Sequence, residues 1–294
     1  MASVPIFTML VGIPGSGKTA EAEKIVRANG SVHLSSDAIR KELYGDASIQ
    51  GDPSKVFSLM HKRTLEALDN GYNVVYDATN LSRKDRASIL SKLSAGIKKE
   101  CAIVWAPIEA CIGRDNGRDR HVGKEVIDRM VKRFQAPWYD EGFDNIYVVR
   151  PEDFSYESAC EYEKFILHMM KIPHDNPHHT YPIDAHCKLA GDWVALELDA
   201  ILPVCRAAYL HDIGKIYTKS FKDAKGNDSD VAHYYGHQNV GAWMSYGFEG
   251  VNPYVAWLIS NHMEPFFNSK YYKNLSTYLK ADLDLLHEAD LNAH

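Results

Sequence analysis

The chain has 294 residues, 45% of them hydrophobic and 24% charged, with a formal net charge of −6. That length accommodates two domains of about 150 residues, each able to bury an ordinary core. The acidic balance excludes a protein that coats nucleic acid through a general basic surface, although a local basic groove needs only a few well-placed cations.

Residues 6–11 form a short apolar run that reads as a buried strand. It feeds Gly12-Ile-Pro-Gly-Ser-Gly-Lys18-Thr19, the pattern GxxxxGK[ST], and a helical stretch follows from Lys18 to Ala28. Strand before and helix after is the context this motif needs. Gly12, Gly15 and Gly17, with Ser16, let backbone N–H groups turn inward around phosphate oxygens, and the helix N-terminus adds its dipole. Lys18 would reach the β- and γ-phosphates of ATP or another nucleoside triphosphate, and Thr19 would hold Mg²⁺.

The apolar tripeptide Val32-His33-Leu34 precedes Ser-Ser-Asp37-Ala-Ile-Arg40, so Asp37 is expected just beyond a strand's carboxyl end, where ligands lie in open α/β sheets. An aspartate there could take a proton from an attacking hydroxyl, and Arg40 on the same helical face could hold a phosphate. In isolation, Asp37 would be read as a helix cap. Further strand-like runs at 73–76, 101–105 and 146–149 alternate with helical stretches at 54–70 and 83–95. Such alternation implies a parallel sheet with flanking helices. Between 114 and 133 the chain is rich in cations, interleaved with Asp115, Asp119, Glu125 and Asp128. By itself that is as easily a solvated helix face. Behind a phosphate loop it reads as a lid closing arginines, Arg118 and Arg120 foremost, over transferring phosphates.

Four of these places resemble the phage-type polynucleotide kinases over about residues 6–150: the GxxGSGKT loop, the Asp37–Arg40 pair, Asp77-Ala-Thr79-Asn80, and the arginine-rich stretch. The resemblance implies that Asp37 is the general base for a 5′-hydroxyl and that Arg40 binds the substrate's 3′-phosphate. It also implies substrate-side contacts from Asp77 and Asn80.

After Arg150 strand-like runs disappear, and from Tyr156 the pattern is helical, broken by turn-rich segments at 173–177 and 222–230. The expected architecture is therefore an α/β P-loop kinase domain over 1–152, a connecting helix in 153–171, and an all-α domain over 172–294. Of the 14 histidines, 11 follow residue 150. His186, His211-Asp212 with Lys215, His233, His237, His262 and Asp290 form a set of imidazoles and carboxylates suited to divalent Mn, Fe, Co, Ni or Zn. The i, i+4 spacing of His233 and His237 predicts one helical face. A single histidine here would be a satisfied core residue; so many together point to metal.

Their order resembles the HD phosphohydrolases over roughly 172–294. The phrases around His186, His211-Asp212 and His233–His237 look most like the HD domains of bacterial tRNA nucleotidyltransferases, which act on 2′,3′-cyclic phosphates or 2′-phosphates. By that resemblance His186, His211, Asp212 and Asp290 hold one metal, and His237 with His262 complete a second. Lys215 would stabilise phosphoryl oxygens, and His233 would contact substrate. His178 and His179 match no role.

Five cysteines (Cys101, Cys111, Cys160, Cys187, Cys205) form no CxxC pair, so neither a disulfide framework nor a zinc ribbon is expected, and a reducing cytoplasm suits them. No stretch reaches transmembrane length, and residues 1–11 lack a secretion signal's basic start. The reading that joins both halves is RNA or DNA end healing, with a separate RNA ligase sealing the ends. The alternatives are a small-molecule P-loop kinase fused to an HD nucleotidase, and a nucleotide-regulated HD hydrolase.

Overall fold

The computed structural model describes residues 4–118, 121–177, 180–197 and 202–293. The chain divides into two compact units. One comprises the chain up to Met130 with Pro137–Pro151; the other comprises Val131–Ala136 with the chain from Glu152 onward.

The first unit is a five-stranded parallel sheet with strand order β2-β3-β1-β4-β5, where β1 is Ile6–Val11, β2 Val32–Ser35, β3 Val74–Asp77, β4 Lys98–Val104 and β5 Asn145–Val149. Strand β3 is buried throughout, as are five of the six β1 residues. That burial explains why they read as continuous apolar runs rather than alternating ones. The helices are α1 (Lys18–Asn29), α2 (Ser36–Tyr44), α3 (Pro53–Asp69), α4 (Arg83–Leu90), α5 (Ile108–Asn116) and α6 (Lys124–Val131). Helix α4 stops short of the expected Ala95 because the chain closes in successive turns, with N–H groups of Lys92, Leu93 and Ile97 bonding three residues back. Register places Leu10 beside Asp77, and Asp77 beside Ser35. Three strand ends thus converge where β1 turns into the phosphate loop.

A buried ion pair secures the loop after β3. The Arg86 guanidinium is fully buried and forks onto Glu141 (2.7 and 2.6 Å), while its remaining nitrogen donates to the carbonyls of Asn80 and Leu81 (3.1 and 3.0 Å). Nearby, His61 is buried against Tyr76 and accepts from Lys92 Nζ at 2.9 Å. Burial, then the Lys92 charge, push its pKa down from 6.5 to about 4.

The second unit is helical: α7 (Tyr156–Met169), α8 (Ile183–Glu197), α9 (Leu202–Leu210), α10 (Lys215–Thr218), α11 (His237–Ser245), α12 (Pro253–Asn261), α13 (Glu264–Phe267), α14 (Lys270–Asn274) and α15 (Thr277–Asn292). Helices α8, α9, α11, α12 and α15 pack around Trp243, Trp257, Leu258, Leu283 and Leu286, all fully buried. Phe134, from the 131–136 segment, lies edge-on to Trp243 with centroids 5.2 Å apart. Two features depart from expectation. The turn-rich segment is an antiparallel hairpin, β6 (Ser220–Lys222) with β7 (Asp228–His233), whose turn is held by Asp223 Oδ1 accepting from Lys225 N and Asn227 N at 2.8 Å each. His233 therefore ends a strand, and His237 opens α11 after Gly236, so the two do not share a helical face. Among the described residues no helix is long and apolar enough to cross a membrane.

Two outcomes are expected. Glu141→Ala, which strands a buried guanidinium, should cost about 3–5 kcal/mol in chemical denaturation, whereas truncating Glu42, paired with Arg63 at the surface, should leave the midpoint nearly unchanged. For His61 the folded pKa lies below the unfolded one, so its contribution is whole above pH 6.5 and lost as pH falls through about 4. The difference in denaturation midpoint between the native chain and His61→Gln should shrink across that window.

Candidate active sites

The phosphate loop is built by close backbone approach. Gly15 has φ +81°, and a Cβ there would lie 2.2 Å from the Cys111 carbonyl oxygen, so only glycine fits. The loop wraps a cleft of about 370 Å³ lined by Gly15, Gly17, Lys18 and Thr19 on one side. Asp37, Arg40, Asp77 and Arg118 line the other. Gly12 follows β1, with a Cβ position 2.6 Å from Val104 O, and the buried Ser16 hydroxyl has no hydrogen-bond partner among the described residues. That loop fits a phosphate, which would supply the acceptor. Lys18 Nζ donates to Ile13 O at 2.9 Å; burial pushes its pKa down, and Asp77 acts the other way.

Asp37 lies in the first turn of α2, one residue past Ser36, and does not cap the helix, since Ser35 holds that position. Its carboxylate is 2.8 Å from Arg40 Nη1 and its side chain is 58% exposed, so it faces the cleft mouth rather than the core. Asp77 is buried at the end of β3, 3.1 Å from His33 Nε2. Asn80 departs from the expected substrate-side position. At φ +49° it turns its amide inward to donate to Leu10 O at 2.7 Å, fastening the loop to β1. In the cation-rich stretch, buried Asp115 accepts from Val122 N and Gly123 N at 2.9 Å each, closing the loop between α5 and α6. Arg120 lies outside the described residues.

The helical unit gathers its histidines in the core. His186, His211 and Asp290 form one triad of possible metal ligands, and Asp212, His237 and His262 a second, each with its donor atoms within 4.8 Å of one another. Asp212 stands between them. Its Oδ2 is 3.6 Å from His186 Nε2 and 3.5 Å from His211 Nε2, while its Oδ1 is 3.4 Å from His237 Nε2 and 4.0 Å from His262 Nε2. The HD resemblance put Asp212 in the first group; the structure turns one of its oxygens toward each.

Each of the four imidazoles gives its Nδ1 to a backbone carbonyl: His186 to Ala293 (3.0 Å), His211 to Ala208 (2.8 Å), His237 to Tyr234 (2.9 Å) and His262 to Ile259 (2.8 Å). That bond puts the proton on Nδ1 and aims the Nε2 lone pair inward, the arrangement expected of metal-binding histidines. The Nε2 atoms meet in pairs, His186 with His211 and His237 with His262, both at 3.2 Å. Two lone pairs so placed repel unless a proton or cation sits between them, so the donor set fits a divalent transition metal.

The charges agree. Burial would raise the Asp212 pKa, but Lys215, His211, His174 and His237 more than offset it and hold the carboxyl well below its usual range. Asp290 is likewise held low against burial by His186 and His211. Burial depresses His237, and burial with the neighbouring imidazoles takes His262 down to about 3, whereas Asp212 and Asp290 raise His211 against its burial. Lys215 Nζ lies 2.6 Å from Asp212 Oδ2 and over the Tyr234 ring.

The sequence reading missed His174, buried in the 173–177 turn with Nδ1 on Tyr181 O (2.7 Å) and Nε2 3.8 Å from Asp212 Oδ2. No spacing flagged it, because its partners come from elsewhere in the chain. His233 is outside the cavity, while Tyr234, Tyr235, Phe266, Phe267 and His287 line it. His178 and His179 lie outside the described residues.

Residues 7–137 match the family model described as an AAA domain, and residues 192–289 that described as an HD domain. The chain therefore joins a P-loop domain of the kinase type to an HD domain. It is an enzyme, and the two domains imply a nucleotide with Mg²⁺ in one and divalent metal in the other. No curated protein matches it. Among solved structures it is similar to a Pnkp1/Rnl/Hen1 complex (25% identity, 39% of this chain and 40% of that one, TM-score 0.35). It is also similar to a Pnkp1/Rnl/Hen1 RNA repair complex (23%, 49% and 48%, TM-score 0.42) and to a fungal RNA kinase (17%, 56% and 43%, TM-score 0.38). The chain spans less than half the length of the chains it matches in these three structures.

Metal analysis after equilibration with Mn²⁺ should show a second equivalent that His237→Ala or His262→Ala removes while the first remains. Asp212→Ala should weaken both. Undiminished binding by the second-triad variants would contradict the two-triad arrangement.

Proposed function

We propose that the chain heals broken nucleic-acid ends, RNA by preference. It would phosphorylate 5′-hydroxyl ends with ATP and hydrolyse 2′,3′-cyclic phosphate or 2′-phosphate ends. The observation that carries the reading is the Asp37–Arg40 pair at the open mouth of the phosphate cleft. It offers a base and an anion clamp side by side where an acceptor too large for a closed pocket can enter. The motif resemblance to phage-type polynucleotide kinases supports the same roles.

In the kinase step, the 5′-hydroxyl oxygen bonds to the γ-phosphorus as its proton passes to Asp37, and the bond to the β-phosphate breaks, releasing ADP. Arg40 exchanges its partner from Asp37 to a phosphate of the acceptor strand. Glycine-loop amides and Lys18 hold the β- and γ-phosphates, and Arg118 closes on the developing charge. Asp77, buried at a strand end and lining the same cleft, would contact the substrate side or join Thr19 in holding Mg²⁺. In the HD site, two divalent ions held by the triads would supply Lewis-acid polarisation and an activated water. Lys215 neutralises phosphoryl oxygen charge, and the backbone-tethered imidazoles keep their lone pairs fixed. Water adds to phosphorus, one ribose P–O bond breaks, and the leaving oxygen takes up a proton. Sealing would fall to a separate ligase.

The test is a short RNA with a 5′-hydroxyl and a 2′,3′-cyclic phosphate, incubated with ATP, Mg²⁺ and Mn²⁺ or Ni²⁺, both ends read by mass spectrometry. A 5′-phosphate should appear, fall by about 10²–10⁴-fold with Asp37→Ala, and vanish with Lys18→Ala. Cyclic phosphate should open only with Asp212 intact. ATP consumption with both ends unchanged would overturn the reading and point to a small-molecule acceptor.

A further inference from the structure

The cavity over the HD ligands holds about 680 Å³, within the range of sites that enclose a small organic ligand. One end is the ligand cluster itself, with Asp212, His237, His262 and Asp290 all lining it. The other is aromatic. Tyr235, Phe266 and Phe267 line the same cavity while 49%, 65% and 62% exposed, three large rings left in water where folding would ordinarily bury them.

These rings are placed, not merely exposed. Phe266 and Phe267, on the short helix α13, meet edge to face with centroids 5.3 Å apart, so their faces point in different directions. Tyr235 is stacked on His233 (5.4 Å, 6° between planes), and the His233 ring is held in turn by Ser229 Oγ at 3.1 Å. His233 therefore stands behind the platform as a positioning residue for Tyr235.

We propose that this aromatic wall is a stacking subsite for the terminal nucleobase of a single-stranded end. The inference rests on the end-healing reading of the HD site. If a terminal phosphoester lies against the ligand cluster, the group one sugar away is the base of that same nucleotide. A base presents both π-faces to the rings only when it is outside a duplex stack. Stacking of this kind contributes affinity with little preference among bases. The Asn176 amide that also lines the cavity donates to Ala232 O at 3.0 Å.

The experiment uses metal-loaded full-length protein and a short single-stranded RNA with 2-aminopurine as its 3′-terminal base and a 2′,3′-cyclic phosphate end. Stopped-flow fluorescence reads base stacking as quenching on mixing, and product analysis reads hydrolysis. Quenching should be strong for the terminal base, weak when the probe is moved inward, and weak at a blunt duplex end. Phe266→Ala and Phe267→Ala should abolish most of it and raise KM roughly ten-fold with kcat little changed, while Phe266→Trp restores it. Retained metal content shows that these variants fold. Hydrolysis without terminal quenching, or quenching unchanged in Phe266→Ala/Phe267→Ala, would overturn the subsite and leave the HD reading standing. Quenching without hydrolysis would overturn the HD reading and leave the stacking surface. Neither signal would overturn both.

Discussion

Four buried imidazoles each give Nδ1–H to a backbone carbonyl and turn their Nε2 atoms toward one another in pairs at 3.2 Å. Nitrogens and carboxylate oxygens gathered this closely call for positive charge among them, of which Lys215, 2.6 Å from Asp212 Oδ2, supplies a part. Much of the helical unit follows from that arrangement. The carbonyls that fix the rings come from the ends of α9 and α12, from the residue before Tyr235, and from Ala293 just past α15. Helix ends leave carbonyls without intrahelical partners, and here those spare acceptors orient the donor set.

The phosphate cleft solves a related problem with the opposite means. There the chain exposes backbone donors and one buried ammonium, and glycine is required where a side chain would strike the Cys111 carbonyl. Its rigidity derives from the sheet: Leu10, Asp77 and Ser35 stand in register at adjacent strand ends. Arg86 and Asn80 then tie the following loop to the same edge. One site gathers lone pairs and needs positive charge; the other gathers N–H groups and needs negative charge.

Much of this was legible in the sequence because it is local. Five strands, the phosphate loop and the Asp37–Arg40 turn are each written in a few consecutive residues, and burial makes β1 and β3 the plainest apolar runs. The HD ligands were legible as a set because their residue types are rare in such density. What could not be read was which atoms meet. Asp212 bridges both triads because of where its two oxygens point, and His174 joins them from a turn with no pattern of its own. His233 and His237 had helical spacing, but Gly236, at φ +79°, breaks the chain between them, and the strand ending at His233 belongs to a hairpin whose apolar content is too slight to show. Asn80 was expected at the substrate only through the resemblance of its motif; its left-handed backbone turns the amide inward to Leu10 O instead.

Gly214, the glycine two residues after Asp212, shows where the tolerance of the metal centre lies. A Cβ there would fall 2.0 Å from the His237 carbonyl oxygen and 2.5 Å from the Gly241 nitrogen. The turn that carries His211 and Asp212 therefore rests directly on the backbone of α11, main chain against main chain. The spacing between the triads is thus a helix-packing distance, and Gly214 is its ruler. A single methyl group at that point would act as a wedge, changing the gap beside Asp212 without removing any of the six donor side chains.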